Sequence, residues 1–141
     1  MADSHTHKNK AIRRSRQRGA ALIEFAFVLP LLILLTVAAV DFGRAFYVKN
    51  VLEQSAQEGV RSFAVRAVSD SATVRNRVLE VANAAGVTVT SLSLQGPDAS
   101  KQVRVTVRGE FNWIFPGVFN LFGAGFTNPM TLTGRAVMYY E

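Results

Sequence analysis

The sequence predicts an α+β chain: a long N-terminal transmembrane helix continuing into an amphipathic helix, a second short helix, then a small three-stranded antiparallel sheet. Three observations carry that prediction. Residues 20–40 form an apolar run with one ionisable residue, Glu24. Apolar residues then recur at three- and four-residue spacings to about Ala67, and again from about 71 to 85, the period of a helix. Past Gly86 the pattern changes to alternation, the period of a strand.

Residues 1–19 are a basic leader. They hold six Lys and Arg against Asp3 alone, a net +5 of the chain's +6. Without core residues they are expected to be disordered. Positive charge close to an apolar run keeps that side of a membrane protein cytoplasmic. The rest of the chain, with ten basic residues against nine acidic, offers little for a nucleic-acid-binding face. His5 and His7 are the only histidines and read as part of a solvated tail.

As a helix, Ala20 to Val40 spans about 31 Å at roughly 1.5 Å per residue. A bilayer's hydrocarbon layer is about 30 Å thick. The run is apolar on all sides, unlike the surface helix of a soluble domain. Pro30 removes one backbone donor, a loss that membrane helices tolerate. A carboxylate on such a helix is costly and suggests function. Glu24 either reaches the headgroups at the cytoplasmic end or pairs with a positive charge at the membrane surface.

After Val40 the pattern becomes amphipathic. Phe42, Phe46, Leu52, Ala56, Gly59 and Phe63 form an apolar band, with Arg44, Lys49, Glu53 and Glu58 largely away from it. No proline interrupts residues 31–96, so one helix is expected from about Ala20 to about Ala67. Gly43 and Gly59 either admit a close neighbour or are merely tolerated. Ser69-Asp70-Ser71 ends this helix and can cap the next. Val74, Val78, Val81, Ala82 and Ala85 give the second helix its stripe, and Gly86 its stop.

Three strands follow. The first, Val87 to Leu94, shifts its apolar parity between Val89 and Leu92, which calls for a bulge. Residues 95–100 are a turn by composition. Val103, Val105, Val107 and Phe111 alternate with Arg104, Thr106 and Arg108, a strand with one buried face. Leu132, Ala136, Met138 and Tyr140 supply the inner face of the last strand. Residues 112–129 carry no charge but hold Trp113, Phe115, Phe119, Phe122 and Phe126. These rings either cover the sheet's open side or form a candidate partner surface, for another subunit or the outer leaflet.

The chain has no cysteine, so a disulfide or thiolate metal site is excluded. There is no glycine-rich phosphate loop, no metal-ligand spacing, no nucleophile–base pair, and no histidine past residue 7. No enzyme activity, cofactor or metal is expected.

The stretch Arg18-Gly19-Ala20-Ala21-Leu22-Ile23-Glu24-Phe25-Ala26-Phe27-Val28-Leu29-Pro30 resembles the cleavage motif of type IV prepilins. Together with Asp41-Phe42-Gly43-Arg44-Ala45-Phe46-Tyr47 and Ala56-Gln57-Glu58-Gly59-Val60-Arg61, it resembles the TadE-like minor pseudopilins of the tight-adherence (Tad/Flp) pilus. The resemblance implies three parts: a cytoplasmic leader at 1–19, a transmembrane helix at 20–40, and an extracytoplasmic pilin-like α+β domain at 41–141. It implies a single-pass protein of the bacterial inner membrane, with its C-terminal domain periplasmic. A prepilin peptidase would cut between Gly19 and Ala20, making Glu24 the fifth mature residue, followed by Phe25. Implied partners are that peptidase, other pilin and pseudopilin subunits, the inner-membrane assembly platform and lipid. Two alternatives stand beside this reading. One is an uncleaved, membrane-tethered periplasmic module acting through residues 112–129. The other is a secreted domain released after Ala39, where Val37-Ala38-Ala39 has the small residues of a signal-peptidase site.

Overall fold

A computed structural model describes residues 4–65, 71–96, 101–117, 123 and 127–139. Their order is α1 (Ser4–Val65), α2 (Ser71–Ala84), β1 (Val89–Gln95), β2 (Gln102–Phe111) and β3 (Met130–Tyr139). The class is α+β, with an antiparallel sheet in the order β1-β2-β3. The chain divides into two compact units, Met1–Ala39 and Val40–Glu141.

In the first unit α1 begins at Ser4, so the leader, expected to be disordered, is helical over residues 4–19. Lys, Arg, Gln and Ala are good helix formers. Extending an existing helix also avoids the unfavourable nucleation step, which decides the state of short isolated segments. Pro30 lies inside the helix without ending it.

The second unit is built around β2. Val103, Val105, Val107 and Phe111 are buried on one face, while Arg104, Arg108 and Glu110 are exposed on the other. The buried face meets Leu52, Ala56 and Val60 of α1 and Val78 of α2 in the main core. Phe63, Val74 and Val103 form a smaller cluster with Leu94. The expected bulge in β1 is present. Val89 pairs with Gly109 and Ser91 with Arg108, leaving Thr90 as the extra residue. It restores Leu92 and Leu94 to the core side.

Gly86 ends α2 as the sequence indicates. Its φ is +72°, the left-handed region that glycine enters without a Cβ penalty. Gly86 N donates to Asn83 O at 2.9 Å and Val87 N donates to Ala82 O at 2.9 Å. These two bonds form a Schellman motif and satisfy carbonyls that the helix end would otherwise leave open.

The two helical glycines of uncertain role separate. Gly59 is buried, and a Cβ there would lie 2.5 Å from Val78 Cγ2, so α2 does approach closely at that point. Gly43 faces open space. Gly134, in the middle of β3, lies directly on the α1 backbone at Leu52 and Glu53. Lys49 reinforces this crossing by donating to Thr133 O at 2.6 Å. One part of the expected apolar band is corrected. Phe42 and Phe46 are exposed, and continuous burial on α1 starts at Val51 and Leu52. Spacing gives the face of a helix but not how far the sheet reaches along it.

Candidate functional site

Gly19, Ala20, Glu24 and Phe25 all lie within α1. Ala20 and Glu24 are four residues apart, on one side of the helix and about 6 Å apart along its axis. Glu24 and Phe25 are exposed, as is every residue from 20 to 33. Among the described residues, Gly19–Phe63 is the helical stretch long and apolar enough to cross a membrane; the mean hydropathy of its most apolar part is 2.5, and none of that part is buried. An exposed apolar helix of this length is consistent with a single-pass membrane protein.

The second constellation centres on Asp41, the residue that follows the apolar run. Its carboxylate is fully buried. Oδ2 accepts from Phe115 N at 3.1 Å and from Ile114 N at 3.2 Å, and Oδ1 lies 3.3 Å from Ile114 N. Arg44 Nη1 donates to Oδ1 at 3.1 Å. One buried anion thus has a cationic partner one helical turn away and two backbone donors 73 and 74 residues away. Arg44 also sits over the Phe111 ring, 5.2 Å from its centroid, a favourable cation–π position.

Trp113 leads into this loop. It is 5% exposed and packs edge-on against Phe42 at 5.7 Å and Phe111 at 5.0 Å between centroids. Its backbone N donates to Asn128 Oδ1 at 3.3 Å. The Trp113 ring therefore closes the end of the core. The next two side chains point outward: Ile114 is 52% exposed and Phe115 is 46% exposed. Phe119, Phe122 and Phe126 lie outside the described residues. Beside the loop, Phe42, Ala45, Phe46, Trp113, Met130 and Leu132 line an apolar groove of about 220 Å³.

Sequence reasoning gave Asp41 no role of its own. The available signal was an acid abutting an apolar run with an arginine three residues later, since a charge that becomes buried needs a partner. The loop amides that complete the site are distant in sequence, and no local pattern announces them.

The two constellations define a class of protein: an α+β domain whose first helix bears a membrane-compatible apolar run with a single acid near its start. The comparison with known families makes this specific. Residues 19–61 match the model of the TadE-like protein family, over the stretch where the resemblance was read. No curated protein and no solved structure matches the chain. Among the described residues, no group of three His, Cys, Asp or Glu is placed to hold a metal ion.

Proposed function

We propose that the chain is a minor pseudopilin involved in assembly of a Tad/Flp-type pilus. The observation that carries this reading is the family match over residues 19–61, which begins at the residue preceding the proposed cut and includes Glu24 and Asp41. The exposed apolar helix supports it, because such a surface suits first lipid and then neighbouring pilin helices. The basic leader stays in the cytoplasm, and the domain from residue 41 lies outside the inner membrane. A prepilin peptidase removes residues 1–19. Glu24 then pairs with the new amine of a neighbouring subunit and fixes axial register. An unpaired charge in apolar surroundings is costly, so a subunit shifted along the fibre is disfavoured. The inner-membrane platform and the other pilins are the partners in this step.

Mass measurement of the native protein tests the reading, with a mature chain starting at Ala20 as the expected result. An intact chain would support the tethered module instead, and a start at Val40 the secreted domain. Either would overturn the proposal. Gly19→Leu is expected to block maturation while leaving membrane insertion intact.

A further inference from the structure

The outward-facing apolar side chains around Asp41 have no role in processing or in Glu24 pairing. Their nearness in the chain to the end of the apolar run suggests what meets them. Asp41 is bonded in the chain to Val40, the last residue of that run. Phe42 and Phe46 lie about 3 and 9 Å further along a helix rising about 1.5 Å per residue, and side chains on a helix lean towards its N-terminus, which brings the Phe46 ring back towards the membrane. The headgroup layer on each side of a bilayer is about 5–8 Å thick. The amides of Ile114 and Phe115 are held on the Asp41 carboxylate at 3.1 to 3.3 Å, so that loop lies at the start of the same layer. Phe42 is 44% exposed and Phe46 is 65% exposed. Arg44, its guanidinium paired with Asp41 and its side chain partly exposed, lies beside the patch. Aromatic rings and basic side chains together are what membrane–water interfaces select.

We infer that Phe42, Phe46, Ile114 and Phe115 form a lipid-contact patch that rests in the headgroup layer where α1 leaves the membrane. Asp41 acts as its positioning residue, tying the loop to the helix at that height. The patch gives the domain a second attachment to the bilayer before assembly. The inference rests on the membrane-spanning reading of residues 20–40, and the test separates the two.

Because the chain has no cysteine, single cysteines can be introduced and labelled with an environment-sensitive fluorophore. The full chain carrying Phe115→Cys, Leu31→Cys or Ser93→Cys is reconstituted in phosphatidylethanolamine–phosphatidylglycerol vesicles. Some vesicles contain lipids with a quencher near the headgroup, and others contain lipids with a quencher deep in the acyl chain. The expected result is headgroup quenching at position 115, acyl-chain quenching at 31, and neither at 93. Quenching at 31 with 115 as unaffected as 93 overturns the patch and leaves the span standing. Equal quenching at 115 and 93 also overturns it, because the domain would then lie on the membrane without a preferred contact. No quenching at 31 removes the span and the patch together. Adding Asp41→Ala, which removes the acceptor of both loop amides, to the Phe115→Cys chain is expected to reduce quenching at 115. Unchanged quenching there overturns the positioning role.

Discussion

Asp41 combines a buried carboxylate with two backbone donors from the loop that follows β2. Asp41→Ala would leave the amides of Ile114 and Phe115 without their acceptor. A buried polar group left unsatisfied costs about 1–3 kcal/mol, and breaking a buried charge pair about 3–5 kcal/mol. Arg44 has a side chain 45% exposed, so water compensates part of its loss and the lower part of that range applies. Asp41→Ala is expected to destabilise the domain by about 2–4 kcal/mol on these figures, measured by denaturant unfolding of the full chain in detergent. Asp41→Asn keeps one oxygen acceptor and should lose less. Faster hydrogen exchange at Ile114 and Phe115 would tie the loss to this loop, and unchanged exchange would refute the account. The two helical glycines give a paired test. Gly43→Ala should stabilise the chain by about 1 kcal/mol, the difference in helix propensity at an open position. Gly59→Ala gains the same propensity but forces Val78 away from a Cβ contact of 2.5 Å. Overpacking costs about 1–3 kcal/mol, so the clash outweighs the gain and the net effect is destabilising. Equal unfolding midpoints for the two variants would contradict this explanation. The sequence showed both glycines on a helix. It could not separate them, because the deciding atoms belong to α2 and β2.

Among the elements, β2 was the most legible because its period-two pattern corresponds directly to one buried and one exposed face. The β1 bulge was also legible, since a parity change inside a strand has few other physical solutions. The Gly86 stop was readable for a similar reason: few residues other than glycine readily hold a positive φ at a helix end. β3 was less so. Its inner face was read from Leu132, Ala136 and Met138, yet the decisive position is Gly134, where the absence of a side chain lets the helix sit against the strand. Met138 is exposed, and Tyr140 lies outside the described residues. Gly134→Ala would place a Cβ on the Leu52 carbonyl group and within 2.6 Å of Glu53 N. These are backbone atoms, so no rotamer change relieves the overlap, and α1 must move off β3. The cost belongs at the upper end of overpacking, about 3 kcal/mol. Thermal unfolding followed by circular dichroism should show a large fall in midpoint for Gly134→Ala. A fall no larger than that of Gly59→Ala would mean that the crossing is looser than the geometry indicates.

For the molecule as a whole, the legible feature was the long apolar helix, since length and apolarity can be counted along the chain. The family match begins at Gly19, takes in the apolar run and extends to Arg61. Less accessible was the loop around Trp113, whose role depends on contacts with Asp41 and Phe42 across more than seventy positions. Glu24 is the residue on which the proposed assembly role rests, and on that proposal two properties of the protein should respond to its removal in opposite directions. An acid at the centre of a spanning helix costs about 2.5–3.5 kcal/mol on insertion scales, and less towards the end. Glu24 is the fifth of twenty-one residues in the run, so Glu24→Ala should hold the chain in the membrane at least as firmly as the native residue does. If the carboxylate pairs with a neighbour's amine, the same variant loses that pair and is incorporated poorly into pili. Glu24→Asp keeps the charge on a shorter side chain and should recover part of the incorporation. Fractionation of cells expressing each variant in place of the native copy measures both quantities. Normal pilus incorporation of Glu24→Ala would eliminate the pairing role. Loss of the variant from the membrane would show instead that Glu24 serves as a headgroup anchor.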